Sequence, residues 1–108
     1  EEIQFEDFTK LDIRVGTILS AQKVKKADKL LHLEVDLGFE KRSIVSGIAQ
    51  YFKPEDLPGT KVSVVVNLAP RKLRGVMSQG MILMAEDSEG NLKFTSAPAD
   101  MPNGAVIR

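Results

Sequence analysis

Residues 31–37 read Leu-His-Leu-Glu-Val-Asp-Leu, apolar and polar side chains in strict alternation, and this stretch restricts the fold more than any other. A period of two places Leu31, Leu33, Val35 and Leu37 on one face of a β-strand and His32, Glu34 and Asp36 on the other. A strand with one apolar face needs a sheet around it, and the flanking sequence supplies the partners. Ile13, Val15, Thr17 and Ile18 predict an earlier strand, interrupted at Gly16, where a glycine marks a bulge or a bend. Gly38-Phe39 turns the chain into a third strand at 42–46, making a hairpin. The valine-rich 61–68 predicts a fourth strand and 80–85 a fifth. After the turn residues 87–91, residues 92–95 form a short sixth strand paired to the fifth. Phe5, Phe8 and Leu11, spaced by three, with Glu6 and Asp7 at the start, predict a short amphipathic helix that covers other apolar surface. Residues 48–52 and Pro54-Glu55-Asp56-Leu57 read as short helical turns, stopped by Pro58-Gly59. Pro98, Pro102 and Gly104 mark a loop before an apolar end, Ala105-Val106-Ile107, that must dock.

The expected architecture is therefore all-β. It is a single domain of 108 residues, large enough to bury a core without staples. Its expected parts are an N-terminal extension at 1–10, a barrel at 11–86 with a short helix between strands 3 and 4, and a C-terminal extension at 87–108.

Several functions are excluded by residue types. Zero cysteines remove disulfides, cysteine-ligated metal and a thiol nucleophile, and fit a cytoplasmic setting. No apolar run approaches a membrane span, and the acidic Glu1-Glu2 start is unlike a signal peptide. The first residue is not methionine, so a chain trimmed or cut from a longer one is expected. His32 is the only histidine and has no ligand or nucleophile placed beside it by the sequence. The pairs Glu6-Asp7, Glu55-Asp56 and Glu86-Asp87 occupy helix starts and turns, where acids have structural reasons to be. Gly75 and Gly80 lack the lysine and hydroxyl residue of a phosphate loop, and Ser46 and Ser78 lie in no nucleophile elbow. A non-catalytic protein with no metal and no cofactor is expected.

Net charge is zero, with 15 basic and 15 acidic residues, yet the charges are segregated. Lys23, Lys25, Lys26 and Lys29 stand against Asp28 alone, and Arg71, Lys72 and Arg74 have no acid nearby. Acids gather at Glu1, Glu2, Glu6, Asp7 and Asp12 and again at Glu86, Asp87 and Glu89. A polyanion responds to the local field, so a neutral sum does not exclude nucleic acid. The order strand, strand, strand, helix, strand, strand resembles the OB-fold, a five-stranded Greek-key barrel that binds oligonucleotides through strands 2 and 3 and the loops joining strands 1–2 and 4–5. Both basic clusters fall in those two loops. Five phenylalanines, one tyrosine and no tryptophan leave few stacking side chains, of which Phe39 is the best-placed candidate. Recognition by backbone and shape is expected. Ser78 is open to two readings, a hydrogen bond to a phosphate or ribose hydroxyl and a turn-stabilising contact.

Asp7-Phe8, Lys10, 12–16, Ala27-Asp28-Lys29-Leu30, 35–38, Ser46-Gly47-Ile48, Asn67-Leu68-Ala69-Pro70-Arg71-Lys72 and Ser78-Gln79-Gly80-Met81 together resemble the tRNA-binding domain family, along nearly the whole chain. That family includes the C-terminal domain of bacterial methionyl-tRNA synthetases and free-standing dimeric tRNA-binding proteins. Gln79 stands where the family pattern has glutamate. The resemblance implies an OB-fold whose extensions form a two-fold homodimer, binding tRNA by shape. It assigns Lys29, Arg42, Asn67, Lys72, Arg74, Ser78 and Met81 to the tRNA-binding surface, and it puts any catalytic core in cis, outside this chain. Ile3, Phe5, Phe8, Val106 and Ile107 are the apolar residues expected at the dimer interface. The synthetase branch fits best; a free-standing tRNA-binding or secretion-chaperone-like protein is the alternative, and a general single-strand binder a third reading.

Overall fold

In the computed structural model, which describes residues 1–108, strand β1 (Ile13–Val24) is the element around which the others are arranged. Its first part, Ile13 to Thr17, pairs antiparallel with β4 (Lys61–Val65), and the remainder, from Thr17 onward, pairs with β2 (Ala27–Asp36). Gly16 lies where the strand passes from one partner to the other. A Cβ there would stand 2.8 Å from Val35 Cγ1 and 3.3 Å from the Asp36 carbonyl oxygen, so the crossing needs a residue without a side chain. The register slips by one residue between Ile18 and Ser20, a bulge that turns Leu19 outward.

β2 follows the alternation of its sequence, with Leu31, Leu33 and Val35 fully buried, as is Leu37 just beyond its end. It pairs along its length with β3 (Lys41–Ser46), as expected. The turn between them is held by the Gly38 N–H donating to Asp36 Oδ1 at 2.8 Å and the Leu37 N–H donating to the Glu40 carbonyl at 2.9 Å. The strand order of the main sheet is β3-β2-β1-β4-β7, with β7 (Met81–Ile82) on β4 and β10 (Val106–Ile107) on the start of β1. The hairpin of β5 (Arg71–Leu73) and β6 (Val76–Ser78) lies between β4 and β7 in the chain. It links the two ends of the sheet: the Gln79 N–H donates to the Ser43 carbonyl at 2.8 Å, and the Val45 N–H donates to Ser78 Oγ at 2.9 Å. The core enclosed is aliphatic, built from Ile18, Leu31, Leu33, Val35, Leu37, Ile44, Ile48, Leu57, Val62, Val64, Val66 and Ile82. Full burial of each such side chain contributes roughly 1.5–3 kcal/mol.

Four expectations are corrected by these elements. The first strand is twice its expected length, because Lys23 and its neighbours continue β1 instead of forming a loop. Residues 48–52 form turns, with the Tyr51 and Phe52 N–H groups both reaching the Ile48 carbonyl, and the helix expected between strands 3 and 4 is a single 3₁₀ turn, Pro54–Asp56. Pro54 and Pro58-Gly59 leave too few residues to nucleate more. The fifth strand is divided at Leu83 into β7 and β8 (Met84–Glu86), since the Leu83 N–H is taken by the Ser63 carbonyl at 2.9 Å; β8 pairs with β9 (Leu92–Phe94) as the sixth strand was expected to. The N-terminal helix α1 (Phe5–Phe8) is one turn and buries neither of its phenylalanines, Phe5 being 72% exposed.

Candidate nucleic-acid interface

Two tight turns bring basic side chains to one place. The β1–β2 hairpin turns through Lys25-Lys26, between paired Val24 and Ala27, with Lys26 at φ 59°. The β5–β6 hairpin turns through Arg74-Gly75, at φ 49° and 84°, the left-handed pair that matches a two-residue loop to the twist of its strands. Glycine or asparagine takes such positions most easily, and a long basic side chain there costs on the order of 1 kcal/mol. Both residues are nevertheless basic, and both line the same open cavity of about 510 Å³ together with Lys29. Lys29 belongs to an outward loop of β2: Lys23 pairs with Leu31 but Val24 pairs with Ala27, so Asp28, Lys29 and Leu30 have no partners on β1. The Lys29 carbonyl accepts from the Ala49 N–H at 3.1 Å, which fixes that loop to the segment after β3.

The ion pairs of the molecule lie elsewhere: Lys10–Asp7 at 3.5 Å, Arg14–Asp12 at 2.8 Å and Arg42–Glu40. Lys23, Lys25, Lys26, Lys29, Arg71, Lys72 and Arg74 have no ion-pair partner, and Asp28 is the one acid lining the cavity. Next to it, along the hairpin, runs an apolar groove of about 410 Å³ lined by Val45, Leu68, Leu73 and Met81, with Arg71 at its edge. Lys72 and Met77 face each other across the hairpin and are exposed.

The seven residues assigned by resemblance therefore divide. Lys29 and Arg74 share the basic cavity, Lys72 lies on the hairpin beside it, and Met81 lines the groove. Ser78 is buried, accepting from the Val45 N–H and donating to the Gly80 carbonyl at 3.3 Å, so of its two readings the structural contact is the one formed. Arg42, opposite Val35 near the far end of β2, donates to the Val66 carbonyl and pairs with Glu40. Asn67 accepts from the Asp12 N–H at 2.8 Å and donates to the Lys10 carbonyl, pinning the segment that leads into β1. Phe39, the stacking candidate, sits past the far end of β2 between Arg14 and Arg42, whose guanidinium carbons lie 5.7 and 6.0 Å from its ring centre. It is remote from Lys29. His32 is half-buried and bonded on both nitrogens: Ser43 Oγ donates to the Met77 carbonyl, so it accepts from His32 Nε2–H at 2.7 Å, and Nδ1 faces the Gln22 amide. Sequence reasoning missed this role as a strap between β2, β3 and the hairpin.

Two groups have displaced pKa values. Hydrogen bonding to Asp12 raises that of Arg14, and hydrogen bonds from the Asn91 side chain and backbone hold the Asp87 carboxyl below the usual carboxylate range. Both lie outside the basic cavity.

At the other end of β1, Phe5, Phe8, Val106 and Ile107 line a second apolar groove of about 410 Å³ with Leu11. Four of the five expected interface residues meet there; Ile3 is exposed but does not line it.

The structure is thus that of a small all-β domain with unpaired cations gathered at two hairpin turns. Residues 13–106 match the family described as "Putative tRNA binding domain", and the chain belongs to that family. It is 62% identical over 105 residues to the methionine–tRNA ligase of Flavobacterium johnsoniae, a match covering 97% of this chain and 15% of the ligase. Among solved structures it is similar to a MetRS-related protein from Pyrococcus horikoshii, with TM-score 0.94 and 42% identity over 100% of this chain and 99% of that one. It also resembles the chaperone CsaA of Bacillus anthracis, with TM-score 0.89 and 29% identity over the whole of both chains. The chain spans about one-sixth of the length of the curated ligases it matches.

Proposed function

We propose that this chain is the C-terminal tRNA-binding part of a cytoplasmic methionine–tRNA ligase, acting as a homodimer and carrying no catalytic site of its own. The sheet order, with β3 and β7 brought together through the β5–β6 hairpin, supports a five-stranded OB-type Greek-key barrel. The observation that carries the reading is the convergence of Lys26, Lys29 and Arg74 from two turns, with Lys72 alongside and without ion-pair partners. Lys29, Lys72 and Arg74 bind phosphates. Arg42, Asn67 and Ser78 hold the surface in shape, and Met81 presents an apolar face to the RNA. Such contacts fix orientation on a folded backbone without reading sequence. Attached to a catalytic core, the domain raises the local concentration of tRNA there. The free-standing or chaperone-like alternative is favoured by the full-length likeness to CsaA and by the exposed apolar groove at Phe5 and Val106.

The test is competition at one salt concentration between several folded tRNAs and an unstructured RNA of matched length. Folded tRNAs are expected to compete alike and better than the unstructured RNA. Equal competition by the unstructured RNA overturns shape recognition, and binding of unfolded polypeptide without any RNA favours the chaperone-like reading.

A further inference from the structure

The groove beside the cations is lined mostly by apolar residues. Leu68 and Met81 are 42% and 47% exposed, and they line one groove with Leu73, Val45 and Arg71. At about 410 Å³ the groove is at the small end of ligand-sized cavities. Its surroundings restrict the occupant. Arg71 lines it and Arg74 lies at the turn that follows Leu73, neither of them ion-paired, so the occupant must be anionic where it leaves the groove and apolar where it enters. A paired duplex meets only the first condition, because its bases are stacked inside. An apolar peptide segment meets only the second.

We propose that the groove between Leu68, Leu73 and Met81 receives one unstacked nucleobase whose flanking phosphates rest on Arg71 and Arg74, an inference that rests on the tRNA-binding reading above. The base is held by contact with aliphatic side chains and a thioether. The groove reads no base identity. Ser78, its one hydroxyl, is already engaged with the Val45 N–H and the Gly80 carbonyl, and the remaining side chains offer nothing to a base edge apart from Arg71. The surface thus distinguishes folded RNAs by whether a nucleotide is splayed out, irrespective of which nucleotide it is.

The test uses the 108-residue chain and two RNA hairpins that differ by one unpaired nucleotide bulged from the stem, the bulged base being 2-aminopurine. Titration is followed by anisotropy at fixed salt and by the fluorescence of the bulged base. The bulged RNA is expected to bind roughly tenfold tighter, the return from burying about 50 Å² of apolar surface. Leu68→Ser, at an exposed position of the groove, is expected to erase that preference and the fluorescence change while leaving the affinity for the fully paired hairpin unchanged. Lys29→Ala is expected to weaken both RNAs equally. Equal binding of the two hairpins by the unsubstituted chain, or a preference that survives Leu68→Ser, overturns the nucleobase site and leaves RNA binding standing. If neither hairpin nor folded tRNA binds, the tRNA-binding reading falls and this inference with it.

Discussion

Around the Lys25-Lys26 turn and the β5–β6 hairpin, seven basic side chains have no acidic partner, whereas all three ion pairs, Lys10 to Asp7, Arg14 to Asp12 and Arg42 to Glu40, lie toward the Ile13 end of β1. The two regions use the same residue types for different ends. A matched cation fixes shape, as Arg14 does by also donating to the Gly104 carbonyl at 3.0 Å. Unmatched cations crowded on two turns repel one another, and a polyanion relieves that repulsion. Arg42 shows why the distinction matters: sequence resemblance places it among tRNA contacts, while its guanidinium is spent on Glu40 and two backbone carbonyls.

The largest effect expected is on assembly at the matched end. Phe5→Asp with Val106→Asp puts charge into the groove at both chain ends, and sedimentation is expected to change from twice the mass of the chain to the mass of one chain, a loss of more than 100-fold in dimer affinity, with RNA contacts on each protomer retained. A monomer before substitution would remove the dimer and leave this groove unexplained. Next in size is the cationic end. Lys29→Ala with Lys72→Ala is expected to weaken tRNA binding roughly tenfold and to lower the slope of log affinity against log salt by about 0.7–0.9 per lysine. Lys53→Ala with Lys93→Ala, at exposed sites outside the cavity, is the control and is expected to change little. Equal losses from the two pairs would mean that diffuse charge, and not position, governs binding. The smallest effect sets stability against binding at one residue: Arg74→Gly removes a cation and the left-handed strain together. The urea midpoint is expected to correspond to a gain of up to about 1 kcal/mol while tRNA affinity falls a few-fold. A loss of stability would show that the Arg74 side chain supports the turn.

The parts of this fold legible in the sequence are those written in one local period. Residues 31–37 alternate because one face is core, and each inward residue is fully buried. The hairpin after them follows from Gly38. What could not be read depends on pairing across the chain. Nothing local says that β1 continues through Lys23, since its second half is exposed on one side and is held by β2. The β5–β6 hairpin was hidden because three-residue strands have no measurable period, although Leu73-Arg74-Gly75-Val76 contains its turn signal in the glycine. The candidate site was legible as charge, and the apolar groove inside it was not, because Val45, Leu68, Leu73 and Met81 come together only when that hairpin folds over β3.

The pairing of β10 with the start of β1 joins Ile107 to Ile13 and leaves residues 5 and 108 lining one groove. The two chain ends thus emerge at a common pole, while the Lys25-Lys26 turn lies at the other end of β1. A polypeptide attached to either terminus departs from the side that faces away from the cations. The domain is in this sense a pendant: it can be hung from another protein by one end without screening the surface proposed to hold RNA. Rejoining its ends and opening it at the exposed Gly90 turn should likewise yield a permuted chain with the same binding face.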